Sequence, residues 1–128
     1  MDNNLRFEHI GLVTNKKKKG EIWVEKTKVW VTSFAKHPYK IEWLRFRHDT
    51  PVKNAVRKKP HIAFRVPDIK KASKGMKVLL KPFDSGMDFV GFYESKEGAV
   101  IEFMEKRNED KKYPAYRRKR QDRQKPSA

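Results

Sequence analysis

Cysteine is absent from the 128-residue chain. That excludes disulfides, zinc–thiolate sites and cysteine nucleophiles together, so any metal site must be built from His, Asp, Glu and water. Long apolar runs are missing too. Nothing approaches the roughly 18 consecutive apolar residues of a membrane helix, and no signal-peptide pattern opens the chain. No membrane span and a cytoplasmic location are therefore the expectations, the second resting also on the lack of cysteine. Acidic residues are few relative to basic ones: 16 Asp and Glu against 32 Lys and Arg leave a formal net charge of +16. Part of that excess lies in residues 106–128, which hold almost no aliphatic side chains and only Tyr113, Pro114 and Tyr116 as possible anchors. Such a stretch buries too little apolar surface to fold by itself and reads as a basic tail. A nucleic acid or other polyanion is a conceivable partner for it, although a solvated tail explains the composition as well. The length fits one domain with a modest core.

What is present is a duplication. One segment opens Phe7-Glu8-His9-Ile10-Gly11-Leu12 and closes Lys40-Ile41-Glu42-Trp43-Leu44-Arg45-Phe46. A second opens Pro60-His61-Ile62-Ala63-Phe64-Arg65-Val66 and closes Ala99-Val100-Ile101-Glu102-Phe103-Met104-Glu105. Each copy starts with a His-Ile pair and ends with an Ile-Glu pair. Two His…Glu units can supply four metal ligands around a pseudo-twofold axis. Imidazole and carboxylate together suit Zn, Ni, Co, Mn or Fe(II) and leave the choice of metal open.

The body reads mainly as strand. Leu5–Val13, Glu21–Glu25, Lys28–Ser33 and Lys40–Arg47 are extended segments in the first half, with a turn at Asn15–Gly20. Asp49–Lys59, flanked by Pro51 and Pro60, links the halves. In the second half a strand over Pro60–Val66 leads to Pro67-Asp68, a helix entry, and to a short helix over Ile69–Met76. Strands at Lys77–Pro82, Met87–Ser95 and Ala99–Glu105 follow, so this half is β-α-β-β-β. The first half has the same strands, but Lys16–Lys19 offers no apolar stripe for a helix between Val13 and Glu21. Alternation places Phe7, His9, Gly11 and Val13 on one face of their strand, and His61, Ala63 and Arg65 on one face of theirs. His37 and His48, at a turn and a strand end, read as exposed. Trp23, Trp30 and Trp43 read as core or interface residues.

These segments resemble the vicinal oxygen chelate superfamily, which includes glyoxalase I, methylmalonyl-CoA epimerase, extradiol dioxygenases and bleomycin-resistance proteins. The likeness spans roughly Leu5–Glu105. It implies an α+β fold of paired βαβββ modules whose curved sheets enclose a cavity, here with the helix of the first module shortened or absent. The implied boundaries are residues 1–105 for a glyoxalase-like domain (module one 5–48, linker 49–59, module two 60–105) and 106–128 for the tail. The first and last strands of each module would each give one ligand to a divalent metal, carrying over to His9, Glu42, His61 and Glu102. The pattern is closest to glyoxalase I and the epimerase, since extradiol dioxygenases use two histidines and one carboxylate.

The resulting expectation is a metal-dependent lyase or isomerase acting on a small oxygen-rich substrate through an enolate-type intermediate. Glu102 or Glu42 would move the proton, Glu102 being the better candidate because its module is complete. Arg65 could meet an acidic substrate group, and Tyr93 could donate a hydrogen bond into the cavity. A bare outer face around Trp43, Arg45 and Arg47 would favour a homodimer. The rivals are a non-catalytic small-molecule binding protein of the same fold and a polyanion-binding protein using the tail. A steep fall of affinity with salt would mark the latter.

Overall fold

A computed structural model describes residues 4–107. The basic tail expected over 106–128 lies outside the described residues apart from Lys106 and Arg107. Eight strands form one mixed sheet: β1 (Arg6–Val13), β2 (Ile22–Val24), β3 (Val29–Val31), β4 (Ile41–Phe46), β5 (His61–Arg65), β6 (Lys77–Asp84), β7 (Phe89–Glu94) and β8 (Val100–Glu105). Two helical turns complete the described residues, α1 (Ala55–Lys58) between β4 and β5 and α2 (Ile69–Ala72) between β5 and β6. This is a mostly β form of an α+β chain, and no described helix is long and apolar enough to cross a membrane.

The strand order is β2-β3-β4-β1-β5-β8-β7-β6. Read outward from the centre, both halves repeat one pattern. In each, the first strand pairs in parallel with the fourth, and the third and second follow antiparallel. The halves meet through β1 and β5, which are antiparallel. Residues of β2 and of β6, the two opposite edges, line the same cavity. The sheet is therefore curled into a cup.

Period-two patterning decides what fills the cup. Val90, Phe92, Val100 and Met104 point inward with Ala63, while Phe89, Tyr93 and Phe103 point outward onto α2 with Val66 and Ile69. Asp68 caps α2 by accepting from the Lys71 amide, and the buried Glu105 carboxylate accepts from the Ile69 amide at 3.0 Å. α2 is thus only one turn long, against the Ile69–Met76 expected, because Ser73 ends it and Gly75 follows at φ 81°.

The segment expected as a bare link is instead a plug. Val52 and Val56 are almost fully buried in the inner core. The Thr50 hydroxyl donates to the Thr27 carbonyl and accepts from the Val52 amide. Asn54 caps α1 by accepting from the Val56 amide and ties it to the Leu79 carbonyl.

Residues 14–21 form turns without a helix. The outer face there is not bare apolar surface, however. Lys18 lies over Trp43, Arg45 over Trp30 and Arg47 over Trp23, at 4.3, 4.0 and 4.8 Å from the ring centroids. The apolar side chains left exposed lie elsewhere and include Leu5, Phe7 and Ile62. Phe7 departs from simple alternation, because the pairing with β5 shifts between Phe7 and His9. That bulge puts Phe7 edge-on against Phe64, on the face opposite to His9.

Candidate metal centre

His9 on β1, Glu42 on β4, His61 on β5 and Glu102 on β8 come from the four central strands. Register brings them together. Glu42 sits opposite Gly11, two residues after His9, and Glu102 sits opposite Ala63, two residues after His61. Since strand residues two apart share a face, each histidine and the glutamate of its own half project into the cup side by side. The antiparallel β1–β5 pair then sets His9 opposite Ala63 and His61 opposite Gly11, so each imidazole faces a small residue. The space at Gly11 is required. A Cβ there would fall 2.0 Å from Cε1 of His61, far inside contact distance.

One ligand atom from each of the four residues lies within 4.8 Å of the others. Nε2 of His9 is 3.3 Å from Oε1 of Glu102 and 3.4 Å from Oε1 of Glu42. Nε2 of His61 is 3.0 Å from the same Glu102 oxygen and 3.8 Å from that of Glu42. An ion about 2.1 Å from every donor would set donor–donor edges near 3.0 Å in an octahedron and near 3.4 Å in a tetrahedron. The observed spacings bracket these values.

Satisfaction of polar groups points the same way. Both nitrogens of both histidines and Oε1 of Glu102 are buried without a hydrogen-bond partner among the described residues. Buried polar atoms are normally paired, and leaving several orphaned costs about 1–3 kcal/mol each. A cation coordinated by the facing atoms removes that penalty for Nε2 of each histidine and for Oε1 of Glu102, so the donor set fits a divalent metal both chemically and spatially. The rings are oriented by packing. Phe34 stacks on His9 at 4.1 Å and 23°, and Phe92 meets His61 edge-on at 5.1 Å.

Burial would depress the His9 imidazolium, but the carboxylates of Glu102 and Glu42 outweigh it and raise the pKa from 6.5 to about 9. Burial likewise disfavours ionised Glu102, and the adjacent His61 and His9 overcome it and hold the carboxyl below its ordinary range. Without a metal, a proton on His9 offsets part of the charge of the two carboxylates beside it.

The two substrate-binding candidates lie elsewhere. Tyr93 faces outward among Val66, Ile69, Phe89 and Phe103, where burial raises its phenol and a hydrogen bond with Ser73 opposes the rise. Phe92, its neighbour in sequence, sits opposite Glu102 and occupies the cavity face. Arg65 does not line the cavity. Its guanidinium donates to both Asp88 oxygens at 3.2 Å and lies 3.5 Å from Glu8. His48 is exposed, whereas His37 is half-buried with Nδ1 accepting from the Tyr39 amide.

Above the four ligands opens a cavity of about 340 Å³ lined by His9, Glu42 and Glu102 at its polar end. Phe34, Phe92, Gly11 and the Val52–Val56 plug escaped the sequence reading. Phe34 lies in a turn with no periodicity, while Ala55 and Val56 directly after Asn54, with Val52 just before it, were a usable sign of a capped apolar turn. No family model matches the chain, and no curated protein sequence matches it.

Proposed function

We propose that this chain is a divalent-metal-dependent lyase or isomerase of the glyoxalase-like, vicinal oxygen chelate type, acting on a small oxygen-rich substrate through an enolate-type intermediate. The observation that carries the reading is the convergence of His9, Glu42, His61 and Glu102 beside a cavity that three of them line, with the histidine nitrogens and Oε1 of Glu102 buried and lacking hydrogen-bond partners among the described residues. The shared strand order of the two halves is what paired modules of that fold would produce. When bound, a divalent cation supplies Lewis-acid polarisation of a substrate oxygen. The protein's own part is then proton movement. Glu102 and Glu42 are the bases within reach of a substrate in the cavity, and Glu102, the more deeply buried, is the better placed. Phe34 and Phe92 keep the imidazoles in position, and the apolar walls limit access of water.

A binding protein that holds its ligand without turning it over draws on the same apolar walls. A homodimer belongs to the proposal as well, supported by exposed Leu5, Phe7 and Ile62.

The test is solvent deuterium exchange into a 2-oxo or acyl-thioester substrate, followed by NMR on metal-loaded protein. Glu102→Gln should keep part of the metal affinity and slow exchange by roughly 10²–10⁴-fold. Unchanged exchange with metal still bound removes Glu102 from the role of base. No exchange by the wild type across such substrates favours the binding protein.

A further inference from the structure

The chain carries 32 Lys and Arg, yet among the described residues none of them lines the cavity above the four ligands. The walls are aliphatic and aromatic: Val29, Val31, Leu44, Phe83, Val90 and Met104 are typical. Polar side chains are confined to Thr27, Ser85 and Asp88, apart from the ligands themselves and the edge of Trp23. Asp88 offers no free charge, because both its oxygens accept from Arg65. At the rim Ile22 and Met87 stay 50% and 67% exposed, so the entrance is apolar too. A dication on two carboxylates sums to zero charge, which leaves nothing to attract an anionic tail. A carboxylate, phosphate or sulfonate drawn into such walls would lose its hydration without gaining a partner. The volume, about 340 Å³, is at the small end of ligand pockets.

We infer that the cavity selects a small molecule with an uncharged, apolar aryl or branched alkyl body and an oxygen-bearing end toward the four ligands, and rejects molecules with an anionic body. The oxygen-bearing end rests on the metal-centre reading proposed above. The uncharged apolar body rests on the walls alone.

Hydroxamic acids separate these parts, because each presents the same two adjacent oxygens. Full-length protein is loaded with Co²⁺ and titrated with acetohydroxamic, benzohydroxamic and 4-carboxybenzohydroxamic acid, read by the visible cobalt spectrum. The benzoyl compound should bind about 10–100-fold tighter than the acetyl one, from the ring area it buries. Its carboxylated form should bind at least about tenfold more weakly than the benzoyl compound. Equal affinities of the acetyl and benzoyl compounds, or equal or tighter binding of the carboxylated one, would overturn the inference while leaving the metal centre intact. Met87→Lys, a change at an exposed rim position, should narrow the gap between the benzoyl and carboxylated compounds, and an unchanged gap would count against the inference.

If Co²⁺ does not bind at all, the metal reading fails separately. Metal-free protein is then compared by NMR with acetophenone and benzoate. Perturbation of the cavity residues by acetophenone alone would sustain the apolar selection. Preference for benzoate, or binding of neither, would overturn it.

Discussion

The two halves of the sheet place their ligands alike and cover their outer faces differently. In the second half, β6 and β7 run for 8 and 6 residues, and α2 closes the outer face over Phe89, Tyr93 and Phe103. In the first, β2 and β3 have 3 residues each, no helix follows β1, and lysine and arginine side chains lie over the tryptophans instead. Yet His9 and Glu42 stand in the same register relation as His61 and Glu102. The ligand geometry depends on the four central strands, and the cover can change without disturbing it. Long basic side chains can do part of a helix's work, since their stems cover apolar rings while their heads stay in water.

If the halves contribute equally to the site, His9→Ala and His61→Ala should be equally damaging. Each should reduce metal affinity by well over 100-fold, more than the roughly 10–100-fold typical of losing a supporting residue. Elemental analysis of protein purified without chelator measures it. Retention of metal by one variant and not the other would break the equivalence.

The covers should differ in energetic weight. Ile69, the first residue of α2, is fully buried against the outer face of the sheet, so Ile69→Ala should cost about 2–5 kcal/mol in urea unfolding. Trp30 is only half-buried under Arg45, and Trp30→Ala should cost about 1–2 kcal/mol, its cation–π contact included. A larger loss at Trp30 would mean that the first half relies on its cover more than the second does.

The cross-strand neighbours of the histidines sharpen the comparison. Gly11→Ala should push the His61 ring aside and weaken metal binding by about 10–100-fold, as loss of ligand orientation does. Ala63→Gly should lower stability by about 1 kcal/mol and leave metal affinity near wild type. Isothermal titration with Zn²⁺ distinguishes them, and an unaffected Gly11→Ala would show that His61 needs no such space.

Acidity offers a smaller effect. The metal-free folded state raises the His9 pKa to about 9, so it binds a proton more tightly than the unfolded chain. That contribution to stability is fully present below about pH 6.5 and is lost as pH rises through about 9. Metal must displace this proton, so its affinity should climb by up to about tenfold per pH unit across the window. Affinity independent of pH from 6.5 to 9 would contradict a protonated His9 in the metal-free protein.

Much of this arrangement was legible in the sequence, for identifiable reasons. The strands announced themselves by alternation, and the His-Ile and Ile-Glu pairs were visible because duplication repeats them at matching places. What stayed hidden depended on partners distant in sequence. The outward turn of Tyr93 is a matter of parity: Phe92 rather than Tyr93 pairs with Glu102, and a shift of one residue exchanges the faces. The bulge that turns Phe7 outward leaves no mark in the local pattern. Arg65 is committed to Asp88, 23 residues away on the far side of a helix and a strand. The inward packing of Val52 and Val56 was masked by the prolines at either end of their segment, which suggested a simple connection.

X-ray absorption at the metal edge of Zn²⁺-loaded protein tests most directly whether both halves meet at one ion. The account predicts one zinc per chain with two imidazole nitrogens and carboxylate oxygen scatterers at about 2.0–2.2 Å. A wild-type spectrum with oxygen neighbours alone, or with a single imidazole, would contradict it.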